Sequence, residues 1–184
     1  RATILAETRE LVGVREEPWY LWPVLIELAR SERYADLVAL YDRSGSAIGR
    51  LAFIEEGNRN YRATGAPLIG QALAKSGRSR EAAQLFRAAD EAIRVIINHG
   101  KVPPRHLAEL AASEAIMGRK EVAIRLLEQA VAKGWFAYEG LDYRLKELPW
   151  FAGLRGDARF ERLVRITEAR RNRERRETEA LGIL

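Results

Sequence analysis

The stretch LAKSGRSREAAQLFRAA, Leu73 to Ala89, decides how this chain is built. It reads as two helical segments broken at Gly77. Beyond the glycine, Ala82, Phe86 and Ala89 follow at steps of five, four and three. The last three share one face of a helix at i, i+4 and i+7. A glycine ends the first helix because a left-handed residue costs it nothing. Ser79 is placed to cap the next helix, and Glu81 suits its first turn. Small Ala82 and Ala89 let a partner helix come close, and Phe86 fills the space between them. Gly70, seven residues before the break, does the same from the first helix. That use explains a glycine inside a helical run, where it costs about 1 kcal/mol. The stretch predicts a helical hairpin.

The pattern recurs. Ala111, Gly118, Ala123, Leu127 and Ala130 repeat the spacing of Gly70, Gly77, Ala82, Phe86 and Ala89 after 41 residues. SGRSREAAQLFRAA and MGRKEVAIRLLEQA are one design, each with a basic residue after the glycine. A weaker copy lies 45 residues upstream at Leu25, Glu32, Leu37, Tyr41 and Ser44, with glutamate at the glycine position. Around these copies the sequence predicts helices at 3–12, 18–30, 33–43, 47–55, 63–76, 79–98, 104–117, 119–133 and 157–178. SGSAIG and EEGNRNYRATG bracket the segment 47–55 as turns. No run shows the apolar alternation of a strand.

The paired-helix pattern resembles the tetratricopeptide repeat, whose small-residue and aromatic positions Gly70, Gly77, Ala82, Phe86 and Ala89 match in order. Two features depart from it. The family period is about 34 residues, against 41 and 45 here, and the proline usual after the second helix is missing at Arg94. The second helix of this pair is therefore overlong, about 20 residues. The tail AVAKGWFAYEGLDYRLKELPWFAGLRGDARFERL is similar to a closing segment of bacterial tetratricopeptide proteins, often regulators in which repeats follow a signalling or winged-helix domain. Independently of that likeness, Trp150, Phe151, Leu154, Phe160 and Leu163 supply the apolar cover a repeat array needs at its end. Pro149 stops the preceding turn, and Asp157 is placed to cap the last helix.

The expected fold is therefore all-α: a right-handed superhelical stack of antiparallel helix pairs, closed by a C-terminal capping helix. The repeat domain is expected over 1–167. A charged helical tail follows over 168–184, where the apolar stripe fades and Glu168, Arg171, Glu174 and Arg175 can pair at i,i+3 or i,i+4.

With 184 residues the chain suits one domain with a good core. It has no cysteine, which excludes disulfides, thiolate metal sites and cysteine nucleophiles. That suits the cytoplasm or the periplasm of a bacterium equally. No apolar run approaches the roughly 20 residues of a membrane span. The chain opens on Arg1, as a trimmed piece of a longer protein would. Its 31 Lys and Arg are offset by 26 Asp and Glu, a net charge of +5. So mixed a composition argues against nucleic acid as the partner.

Catalytic constellations are missing from the pattern. His99 and His106 flank a turn with no third ligand in view, short of a zinc site. Ser31, Ser44, Ser46, Ser76 and Ser79 fall at predicted helix ends or turns, where serine caps, and no Gly-x-Ser-x-Gly elbow occurs. Gly65 and Gly70 lack the preceding strand of a dinucleotide fingerprint. Adjacent Glu55 and Glu56 point apart on a helix. In Arg155-Gly156-Asp157 the glycine is a turn before the final helix. No catalytic residue, metal or cofactor is expected.

Trp19 and Trp22 in EPWYLWPVLIEL have two readings. By default they pack in the core. Aligned on the repeat, they face the groove instead, on one surface with Arg30, Gln71, Lys75 and Arg105. Aromatics beside arginines make binding anchors. The expected role is then a non-catalytic module that binds a peptide or helix of another protein in a concave groove. The family's known groove for acidic peptide tails uses lysines and asparagines; asparagine is absent from these helices, so that specificity does not carry over. The alternatives are self-association through Phe160–Arg176, and nucleic-acid binding by the basic tail.

Overall fold

The computed structural model describes residues 22–44, 65–98, 102–136 and 144–181. Among them all regular structure is helical, and no helix is long and apolar enough to cross a membrane. The predicted helices at 3–12 and 47–55 lie outside the described residues. The chain divides into two compact units, residues 1–100 and 101–184.

The first unit holds α1 (Trp22–Arg30), α2 (Tyr34–Ser44), α3 (Gly65–Lys75) and α4 (Ser79–Asn98). Helix α1 packs on α2, α2 on α3, and α3 on α4. At 20 residues, α4 has the predicted excess length. The hairpin contact read from the sequence is present. Ala82 and Ala89 are buried beside Leu85 and Ile93. A methyl group built on Gly70 would sit 2.9 Å from Phe86 Cε1 and 3.2 Å from Cδ1 and Cζ. The ring occupies the place where any other residue's Cβ would be, so glycine sets how closely α3 and α4 approach.

The second unit holds α5 (Pro104–Ile116) and α6 (Lys120–Ala132), then 3-10 turns at Leu145–Glu147 and Pro149–Leu154, then α7 (Ala158–Ala180). Helix α5 pairs with α6, the Pro149–Leu154 turn packs on α5, and α7 packs on α6. Ala111, Ala123, Leu127 and Ala130 are each 0% exposed, which places the second copy of the motif at the core of its own hairpin. Trp150, Phe151, Leu154, Phe160 and Leu163 are buried as expected. The Phe151 and Phe160 rings lie 6.0 Å apart, a contact worth about 0.5–1.5 kcal/mol beyond area burial. Asp157 caps α7 as predicted, its Oδ1 accepting from Arg159 N at 2.8 Å and Phe160 N at 3.3 Å. Helix α7 passes residue 167 without a break.

One turn links the two helices of three hairpins, and the same pair of bonds also ends α6 at Gly134, φ 100°, where Gly134 N reaches Val131 O and Trp135 N reaches Ala130 O, both at 3.0 Å. Glu32, Gly77 and Gly118 are all left-handed, at φ 54°, 82° and 80°. After each, an arginine amide reaches back five residues: Arg33 to Leu28 at 2.8 Å, Arg78 to Leu73 at 2.8 Å, Arg119 to Glu114 at 2.9 Å. The left-handed residue's own amide reaches back three, to Ala29, Ala74 and Ala115, at 3.1, 3.1 and 3.0 Å. This is the glycine-ended helix stop whose two bonds satisfy carbonyls the helix leaves open. The first copy makes it with glutamate, against the steric cost of a left-handed L residue. Ser79 is not the cap predicted for α4. It is the first helical residue, and Arg78 holds the cap position, because the turn leaves only one residue between glycine and helix.

Candidate interaction surface

Six residues were expected to line a groove. Trp19 lies outside the described residues. Trp22 opens α1, with its side chain outside the description. Arg30 and Lys75 close α1 and α3 and stand 45 residues apart, at the same position of the repeated hairpin. Gln71 is half-buried on α3, and Lys75 is exposed. Arg105, half-buried on α5, belongs to the second unit. The structure therefore brings Arg30, Gln71 and Lys75 onto the first helices of two packed hairpins.

Their electrostatics differ. Arg30 is paired along its own helix: its Nη2 lies 2.7 Å from Glu27 Oε1 and its Nε 2.9 Å from Oε2. This i,i+3 pair neutralises much of the charge Arg30 would offer an acidic partner. Lys75 makes no ion pair among the described residues. The third equivalent position is Ile116, 8% exposed, so the repeat does not continue a basic row into the second unit.

Three features escaped the sequence pattern. Arg78, beyond the left-handed Gly77, donates to both oxygens of Asp42 at 2.8 and 2.7 Å and to Glu81 at 2.7 and 2.6 Å. It ties the α3–α4 turn to α2, and those bonds raise its own pKa while holding Glu81 below the usual carboxylate range. In the second unit, Glu114 is buried at 8% side-chain exposure and pairs with Arg119. A second bond joins Arg119 Nη2 to Glu114 Oε1 at 3.2 Å. A carboxylate so buried needs that guanidinium. Finally, Arg170 of α7 donates to Val131 O at 2.6 Å, closing the C-terminal end of α6. Arg78 and Arg119 each follow a left-handed glycine, but nothing in the sequence pattern named their partners or Arg170's.

Glu168 turns away from its own helix, its Oε1 lying 3.4 Å from Lys146 Nζ, while Arg175 pairs with Glu179 at 2.9 Å. Among the described residues no group of three or more His, Cys, Asp or Glu could hold a metal ion. Gly156 is left-handed at φ 88°, which makes Arg155-Gly156-Asp157 the turn into α7. Comparison with protein-family models, with curated proteins and with solved structures finds no match.

Proposed function

We propose that this chain is a non-catalytic protein–protein interaction module, a tetratricopeptide-like stack of hairpins within a larger bacterial regulator. It binds a peptide or helix of another protein along the first helices of successive hairpins. The observation that carries this is the turn shared by three helical hairpins, at Glu32, Gly77 and Gly118, with its matched hydrogen bonds. The first two hairpins share this stop and pack on one another within one unit, so equivalent positions of their first helices lie near each other. Such arrays use those positions as extended binding surfaces. Support comes also from α2 packing on α3, so that the first hairpin packs against the second. Lys75 is the basic residue this surface offers an acidic partner, with Gln71 one turn away and Trp19 and Trp22, as read from the sequence, as apolar anchors.

The test is selection of peptides about 12 residues long on the immobilised chain, followed by titration of the enriched ones. Enriched peptides should carry an acidic residue beside an apolar anchor. Lys75→Glu should weaken them about tenfold, roughly 1.4 kcal/mol. Trp22→Ala should weaken them by at least as much. Binding unchanged by both substitutions removes the groove from the account.

A further inference from the structure

Helix α7 carries eight arginines and five glutamates over Ala158–Ala180, and the fold sorts them. Phe160, Leu163, Val164 and Thr167 form its buried face. Arg162, Arg165, Arg173 and Arg176 are all exposed on the opposite side, within about 80° of arc at 3.6 residues per turn. Only Ala158, Ala169 and Ala180 share that arc. None of the four arginines has an ion pair or hydrogen bond among the described residues. The glutamates lie elsewhere on the helix, and several are engaged. Glu161 accepts from Gly156 N at 3.2 Å, Glu168 meets Lys146, and Glu179 meets Arg175. Residues 101–184 hold 17 of the Lys and Arg against 13 of the Asp and Glu, so this unit bears +4 of the chain's net +5.

We infer that this arginine stripe is a second, separate binding surface, and that it grips the phosphate backbone of a B-form DNA duplex without reading its sequence. Three physical points lead there. The arginines form two pairs, 162/165 and 173/176, eleven residues or about 16–17 Å apart along the helix axis. The B-form major groove is about 12 Å wide. Two pairs so spaced reach phosphates on both of its edges, with each guanidinium fork matched to phosphate oxygens. The stripe holds no aromatic or large aliphatic side chain, with Ile166 only at its margin. A protein partner would need such an apolar centre, whereas backbone binding to DNA needs charge alone. The mixed composition that argued against nucleic acid is a property of the whole chain; on this face the mixture is absent.

The experiment is fluorescence anisotropy of a labelled 24-base-pair DNA duplex with the full chain, at several salt concentrations. Binding at 50 mM salt should weaken with a log–log slope of about −3 to −4, four phosphates at ~0.9 each. Arg173→Gln alone should reduce the slope by about 0.9. The fourfold variant Arg162→Gln, Arg165→Gln, Arg173→Gln, Arg176→Gln should lose binding more than tenfold with unchanged circular dichroism. A control carrying Arg43→Gln, Arg80→Gln, Arg87→Gln and Arg94→Gln, all exposed in the first unit, has the same net charge and should bind as the parent does. No binding at 50 mM salt, or equal loss in the control, overturns the inference. So does equal or tighter binding of polyglutamate, which would assign the stripe to an acidic protein. An A-form RNA duplex, with its narrow major groove, should bind more weakly; equal binding would remove the groove-spanning geometry.

Discussion

Replacing Gly70 by alanine should destabilise the first unit, although alanine is the better helix former by about 1 kcal/mol. The new Cβ would lie 2.9 Å from one ring carbon of Phe86 and 3.2 Å from two others. Carbon atoms prefer about 3.5–4.0 Å, so three contacts become repulsive at once. The ring is half-buried on a helix whose Ala82, Leu85 and Ala89 are buried, and Ile69, Ala72 and Leu73 beside Gly70 are buried as well. Overpacking of this kind costs about 1–3 kcal/mol, which outweighs the propensity gain and leaves a net loss of roughly 1 kcal/mol. The second unit shows how to relieve it. There alanine, Ala111, stands at the Gly70 position, and leucine, Leu127, stands at the Phe86 position, both fully buried. In a Phe86→Leu background, Gly70→Ala should therefore reverse sign and stabilise by about 0.5–1 kcal/mol, since only the propensity term is left. The expected coupling between the two sites is about 1.5–2 kcal/mol, within the range for residues in direct contact. Urea denaturation of the parent, both single variants and the double variant, followed at 222 nm, reads it. Effects of Gly70→Ala that agree within about 0.5 kcal/mol in the two backgrounds would refute the contact.

Glu32→Gly should stabilise the first hairpin by about 0.5–1 kcal/mol, because relief of a left-handed L residue exceeds the entropy glycine adds to the unfolded chain. Gly77→Ala should cost about 1 kcal/mol at the equivalent turn, and melting curves compare the two. Glu81 gives a pH signature. Arg78 holds its pKa below the ordinary 4.5, so its stabilising contribution is complete above that value and is lost as pH falls through the lowered folded value. Glu81→Gln should therefore lower the melting temperature near neutral pH and converge with the parent in strong acid. A difference that persists unchanged to pH 2 would detach Glu81 from the Arg78 contact.

Much of each hairpin was legible because one physical requirement leaves one residue type. A helix that must let another lie against it needs a small side chain at a repeated interval, and Gly70, Ala82, Ala111 and Ala123 answer it. Asp157 was legible for a similar reason: a short acidic side chain before an apolar run has few better uses than accepting the first free amides. Ser79 misled because serine before a helix fits the same rule. The turn geometry, fixed by Gly77 and Arg78, left it one residue too late. Arg78, Glu114 and Arg170 were invisible for another reason. Their partners Asp42, Arg119 and Val131 are set by how helices lie against one another. Apart from the nearby Glu114–Arg119 pair, the distances in sequence are 36 and 39 residues. Local spacing holds no record of such pairings.

The weak first copy carries a more general point. By residue identity it barely belongs with the other two, since glutamate stands where glycine is expected and leucine where alanine is. Its backbone nonetheless makes the same two hydrogen bonds within about 0.1 Å, with Glu32 held left-handed. A left-handed glutamate is unfavourable on its own and persists only where the surrounding packing over-determines it. Leu25, Leu28 and Leu37, all buried, supply that packing. What recurs in this chain is therefore the stop between two helices and the face each presents to the other, and glycine is one way to reach it. The same logic applies to charge on α7. Counting acids and bases along the chain averages over the one coordinate that matters, the angle around the helix. Once Phe160, Leu163, Val164 and Thr167 fix which side is buried, the four arginines at 162, 165, 173 and 176 are forced together on the other side.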